Sequence, residues 1–161
     1  MILGIDPGLE NTGWGVIDLQ SSINNCQLIN CGVILTNRKD RSEVRLEKIF
    51  KEIQKIIKKY KVEEVAMESM FFAKNAKSAL KVAEAIGAIK VAARNLGKTV
   101  FEYTPLQIKI ALVGYGRAQK EQVELMVRDC LNLKEPISPG HASDAVAVAL
   151  THGFTMKITE R

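Results

Sequence analysis

Residues 1–16 read MILGIDPGLENTGWGV: an apolar run, one carboxylate, a Pro-Gly turn, and a second run opening on Gly13-Trp14-Gly15. Ile2 to Ile5 have the composition of a strand. Asp6 ends it, where an apolar strand has no structural use for a charge. Pro7 fixes φ and Gly8 tolerates positive φ, so the chain turns sharply there. Gly13 and Gly15 leave the returning strand bare, open to close approach by a backbone or a ligand. Asp6 is then either a metal-binding or proton-handling carboxylate at the centre of a sheet, or an Asp that caps a turn.

The remaining chain weighs those alternatives. A second strand runs to about Leu19, the turn cluster SSINN follows at 21–25, and residues 26–36 form a third strand. Short turns between these three imply an antiparallel meander. Over 43–60, Leu46, Ile49, Phe50, Ile53, Ile56, Ile57 and Tyr60 recur at helical spacing. Lys48, Lys51, Lys55, Lys58 and Lys59 fill the opposite side, a solvated face or a DNA contact. Residues 64–68 make a fourth strand that again ends on a carboxylate, Glu68. Its alternation puts Ala66 and Glu68 on one face, Val65 and Met67 on the other. A loop at 69–75 leads to a helix over 76–96, ended by Gly97. A fifth strand covers 98–103, and Thr104-Pro105 cap a short helix reaching about Val113. The basic loop Gly114-Tyr115-Gly116-Arg117 precedes a helix over 118–133 that Glu135-Pro136 breaks. A last helix starts at Gly140 and reaches about Thr151, with a frayed tail expected from His152.

This order predicts one α/β domain over 1–161, a five-stranded mixed sheet flanked by helices. A strand-helix-strand crossover brings the fourth strand in parallel with a neighbour, most naturally the first. Asp6 and Glu68 then meet at the carboxyl ends of adjacent central strands, where α/β sheets place ligands. Two carboxylates at one spot repel, and a cation offsets that repulsion.

Composition narrows the function classes. The chain has 161 residues, 47% hydrophobic and 25% charged, with net charge +5. No apolar run approaches the roughly 20 residues of a membrane span, and Asp6 and Glu10 interrupt the place of a leader's apolar region. Cys26, Cys31 and Cys130, odd in number and without CxxC spacing, read as reduced thiols, which points to the cytoplasm. The basic balance permits a nucleic-acid partner without establishing one.

His141 and Asp144 lie three apart at the start of the last helix, hence on one face. The run from Ala145 to Leu150 is so apolar that both faces of that helix should be buried. If it packs beside the first strand, Asp6, Glu68, His141 and Asp144 converge. Such ligands suit Mg²⁺ or Mn²⁺, with Mn²⁺ more tolerant of the nitrogen. Two such ions about 4 Å apart clamp both oxygens of an in-line phosphoryl displacement. Phe71 and Phe72 share a loop with Lys74, Asn75 and Lys77, a mixture that suits unstacked bases and phosphates. Ala79, Ala83 and Gly87, four apart, allow close helix packing, on the sheet or on a second copy.

Four segments, IDPGLENTGWGV, AMESMFFAKNAKSALKVAEAIGA, FEYTPLQIKIALVGYGRAQKEQV and HASDAVAVALTH, resemble the RuvC family of bacterial Holliday-junction resolvases in the same order. The resemblance covers essentially the whole chain. It implies a ribonuclease-H-like fold, a homodimer, divalent metal and paired symmetric nicks across a four-way junction, with RuvA and RuvB as branch-migration partners. Asp6, Glu68 and Asp144 match the family's catalytic carboxylates. His141 falls at the remaining metal-ligand position, which is Asp in many members, and acts as a ligand or as a proton-handling neighbour. Phe71 matches an aromatic that stacks on junction bases, and Lys109 and Lys120 match basic residues near the scissile phosphate. Arg117 and Tyr115 are weaker candidates for backbone contact, and the Ala79-Ala83-Gly87 helix lies where the family dimerises. Two rivals stand beside this reading. A sugar-kinase or actin-like ATPase shares the D-x-G turn but needs a second copy of it, and none is present. A catalytically idle junction-binding module finds support only in His141 replacing a carboxylate.

Overall fold

The computed structural model describes residues 1–19, 26–69 and 76–159, with 76–78 and 157–159 by backbone alone. Its elements are β1 (Ile2–Asp6), β2 (Asn11–Leu19), β3 (Cys26–Leu35), α1 (Ser42–Lys59), β4 (Glu64–Glu68), α2 (Ala76–Arg94), β5 (Val100–Tyr103), α3 (Pro105–Val113), α4 (Lys120–Cys130) and α5 (Gly140–Thr159). The strands form one sheet in the order β3-β2-β1-β4-β5. β1 to β3 are antiparallel, whereas β4 joins β1 in parallel and β5 joins β4 in parallel. The expected mixed sheet and its crossover are present.

Strand alternation divides the core into two layers. Leu3, Ile5, Val65 and Met67 point to one face, where Ile49 and Ile53 of α1 and Ala85 and Ile89 of α2 cover them. Ile2, Ile17 and Ala66 point to the other, against Val146 to Leu150 of α5, Ile108 and Leu112 of α3, and Val127 of α4. Asp6 and Glu68 follow the alternation of Ile2 and Ala66, so both carboxylates belong to the α5 side.

Glycine lets α5 lie directly on the sheet. A Cβ on Gly4 would stand 2.0 Å from the Ala145 carbonyl oxygen, and one on Gly13 would stand 2.0 Å from that of His141. The bareness of β2 therefore serves a helix backbone and holds the first turn of α5 against the strands.

Several boundaries differ from the sequence expectation. α4 spans Lys120–Cys130 instead of 118–133, because the Gln122 side chain accepts from the Gln119 backbone N–H at 2.8 Å and sets its start. Its end comes at Leu131, with Asn132 at φ 51°, well before Pro136. β5 begins at Val100, two residues later than expected. The largest correction concerns the tail. α5 continues to Thr159, and His152 is completely buried. Its Nε2 lies 3.0 Å from Glu64 Oε2 and its Nδ1 lies 2.7 Å from the Tyr103 hydroxyl. A carboxylate only accepts when ionised, so Nε2–H donates to Glu64 and Tyr103 donates its O–H to Nδ1. These bonds tie α5 to β4 and β5, and the helix does not fray there.

Candidate active site

The site is assembled at the carboxyl edge of the parallel strands. Asp6 lies one step beyond the last β1–β4 pair, Ile5 with Met67, and Glu68 ends β4 beside it. His141 and Asp144 come from the first turn and a half of α5, held over β2 at Gly13. One ligand atom each from Asp6, His141 and Asp144 lies within 4.8 Å of the others. Glu68 stands outside that tight group. It borders an adjoining pocket of about 230 Å³ whose wall includes Asp144, Lys109 and Lys120.

Charge is concentrated and partly buried here. His141 Nδ1 lies 2.7 Å from Asp6 Oδ2, close enough for its N–H to donate to the carboxylate. Lys120 Nζ donates to Asp144 Oδ2 at 2.9 Å. Burial holds the Asp6 carboxyl above its ordinary value, with His141 pulling it back and Asp144 adding to the rise. Glu68 is pushed up to about 7, first by burial and then by the negative charges of Asp6 and Asp144. These donors fit a divalent cation. They are hard carboxylate oxygens and one imidazole, and the repulsion that raises Asp6 and Glu68 is what a cation relieves.

The other sequence candidates divide. Lys109 and Lys120 meet Glu68 and Asp144 in one pocket, although α3 and α4 are separate helices. Arg117 is exposed on the loop between them and lines none of the site, while the neighbouring Tyr115 bonds Gln122 Oε1 at 2.8 Å. Phe71, Phe72 and Lys74 lie outside the described residues, and so does the side chain of Lys77. Ala83 and Gly87 are exposed, whereas Ala85, Ile89, Ala92 and Ala93 form the buried face of α2. The small-residue stripe is therefore not core packing on the sheet.

Sequence reasoning missed Arg45, which is 8% exposed inside a helix read as lysine-rich on its outer side. The signal was present, because Arg45, Ile49, Ile53 and Ile57 continue one stripe at intervals of four.

The comparisons with known proteins agree with one another. The family model described as crossover junction endodeoxyribonuclease RuvC matches residues 2–152. A crossover junction endodeoxyribonuclease RuvC of Clostridioides difficile is 44% identical over 158 residues, 98% of this chain and 92% of that protein. The chain belongs to the RuvC family. Among solved structures, RuvC of Thermus thermophilus superposes with a TM-score of 0.93 at 38% identity, covering 98% of this chain and 96% of that one. The same Thermus thermophilus protein in complex with a Holliday junction substrate gives the same TM-score and identity, covering 98% and 95%. The sheet order and the flanking helices are thus those of a RuvC fold. No described helix is long and apolar enough to cross a membrane.

Proposed function

We infer that the protein is a divalent-metal-dependent, structure-selective endodeoxyribonuclease that resolves four-way (Holliday) DNA junctions in homologous recombination and repair. The observation that carries this reading is the group of Asp6, His141 and Asp144, within 4.8 Å of one another and bordered by Glu68, in a chain of the RuvC family. Relatives named as crossover junction endodeoxyribonucleases, one of them solved with a junction, support the substrate.

Asp6, Glu68, His141 and Asp144 would hold the metal, and three carboxylates with one imidazole are enough donors for two Mg²⁺ or Mn²⁺ ions. Metal bound there supplies Lewis-acid polarisation of the scissile phosphate and lowers the pKa of the attacking water. The chain's own groups do the remaining work. Lys120, paired with Asp144, and Lys109 beside Glu68 offer positive charge to the phosphate oxygens as negative charge builds on them. Glu68, near 7 in the metal-free site, gives up its proton when it ligates, so metal binding there strengthens as pH rises. Paired symmetric nicks call for a two-fold homodimer, for which the stripe of half-buried Ala79 and exposed Ala83 and Gly87 is the proposed interface. RuvA and RuvB are the proposed branch-migration partners.

The idle-binder alternative is not favoured, because His141 brings a metal-ligating nitrogen into the group where a carboxylate was expected. Cleavage of a labelled synthetic junction, first with Mg²⁺ and then with Mn²⁺, tests the reading. Wild type should give paired symmetric nicks, and Asp6→Asn should lose at least about 100-fold in rate while still binding the junction. A stronger Mn²⁺ response supports direct ligation by His141. Tight binding without nicking under both metals would sink the nuclease reading.

A further inference from the structure

Apart from the Lys109–Lys120 pocket, His141 lines a second, larger groove of about 550 Å³. Pro7 to Asn11, Arg38, Arg45, Lys81, Val82 and His141 line it. Pro7 and Gly8 follow Asp6 directly, and His141 is bonded to Asp6, so the groove opens onto the metal-ligand group. Three cations face one carboxylate there, and that carboxylate, Glu10, is already paired with Arg38 at 2.6 Å.

Arg45 is the decisive residue. It is 8% exposed, and buried Arg side chains are rarely left without a counter-charge. No carboxylate lies within ion-pair distance of it among the described residues. Its Nε donates to Thr36 Oγ1 at 2.8 Å, and that hydroxyl donates in turn to the Leu9 carbonyl. One edge of the guanidinium is thus fixed to the turn after Asp6. Among the described residues no buried side-chain nitrogen lacks both a partner and solvent, so the rest of the guanidinium opens into the groove. A fixed, buried cation whose nearby carboxylate, Glu10, is already bonded to Arg38 is, beside a phosphodiester-cleaving site, a seat for an anion.

We propose that the Arg38–Arg45–Lys81 groove binds the phosphodiester backbone of the DNA strand on one side of the scissile phosphate. Lys109 and Lys120 line the separate pocket that adjoins the same metal-ligand group at Glu68 and Asp144. A strand that places one phosphate at Asp6, His141 and Asp144 therefore runs from one basic pocket across to the other. The proposal rests on the nuclease reading and extends it to residues outside the metal site. Contacts of this kind carry affinity and register rather than base sequence.

Metal-free equilibrium binding of a labelled four-way junction, repeated over a range of salt, is the test. Arg38→Gln with Lys81→Gln, both exposed positions, removes two of the groove's cations. Lys61→Gln with Lys134→Gln, also exposed, makes the same charge change beyond the ends of α1 and α4. The groove pair should bind about tenfold more weakly at 0.1 M salt, with the slope of log Kd against log salt reduced by about 1–2, one phosphate contact contributing about 0.9. The control pair should stay near wild type in both quantities. Arg45→Lys, which keeps the charge but loses the fork, should fall between wild type and the groove pair. A groove pair that matches the control pair overturns the proposal even while wild type selects the junction over linear duplex. A wild type without that selection, alongside a weakened groove pair, sinks junction specificity instead and leaves the groove as a nucleic-acid site.

Discussion

Burial and two neighbouring carboxylates push Glu68 up to about 7, against an ordinary value of 4.5, and this has a direct consequence for stability. Between those values the folded protein binds more protons than the unfolded chain, so stability falls as pH rises from 4.5 and levels off above about 7. Asp6, also raised, adds in the same direction. With metal removed by chelation, Glu68→Gln should therefore be more stable than wild type at pH 8, by about 1–2 kcal/mol after solvent screening. The two should converge near pH 4.5. Urea denaturation across that range checks it, and a constant difference at every pH would show that Glu68 titrates normally. Saturating Mn²⁺ should reverse the order at pH 8, since a ligand at 100 times its Kd adds about 2.7 kcal/mol to the form that binds it.

At the scale of elements, α5 is positioned at both ends, by contact at one and by hydrogen bonds at the other. Gly13→Ala places a Cβ 2.0 Å from the His141 carbonyl oxygen, a backbone atom with no freedom to rotate away. The start of α5 must lift, costing about 1–3 kcal/mol or more. Junction cleavage should then fall at least about tenfold, because His141 and Asp144 move with the helix. Retained cleavage at wild-type rate would mean that the site does not depend on this approach. At the other end, His152→Leu removes the bond that Tyr103 donates to Nδ1 and leaves that hydroxyl to Thr155, a loss of about 0.5–1.5 kcal/mol. Tyr103→Phe should cost less in that background than in wild type, because the bond to His152 is already gone. Denaturation of the two single variants and the double variant gives the coupling, and a coupling below about 0.5 kcal/mol would remove the bond from the account of α5 stability. The helix period across Ala145, Ala149 and His152 carried this signal.

For the whole molecule, the open question of assembly centres on α2. Its inner face is buried, while Ala83 and Gly87 are exposed together with Leu80 at 67% and Val91 at 60%. A Cβ on Gly87 would meet nothing within 4 Å. This apolar, small-residue face is where a second copy should pack. Sedimentation equilibrium should give twice 17.8 kDa for wild type and 17.8 kDa for Ala83→Glu, with unchanged far-UV circular dichroism. A wild type that sediments as a monomer would remove the interface. Loss of the dimer should also uncouple the two nicks, so that a plasmid-borne junction is cut on one strand at a time.

Local and periodic properties were determined by the sequence alone. The D-P-G turn, the four-residue stripe of α1, the alternation of β4 and the Thr104-Pro105 cap each depend on neighbours within a few residues, so they were legible without a fold. Which carboxylates belong to one site was nearly legible too, since each ends an apolar element and parallel pairing aligns β1 with β4. Tertiary structure alone decided the rest. It brought Asp144 and His141 to Asp6 across more than a hundred residues, left Glu68 just outside the tight group, and buried His152 against β4 and β5. It also gave the glycines of β1 and β2 their purpose, and it put Arg45 in the wall of a groove beside Arg38 and Lys81. Such outcomes depend on which surfaces meet when helices are laid on a sheet, and that packing is set by long-range contacts that no local pattern encodes.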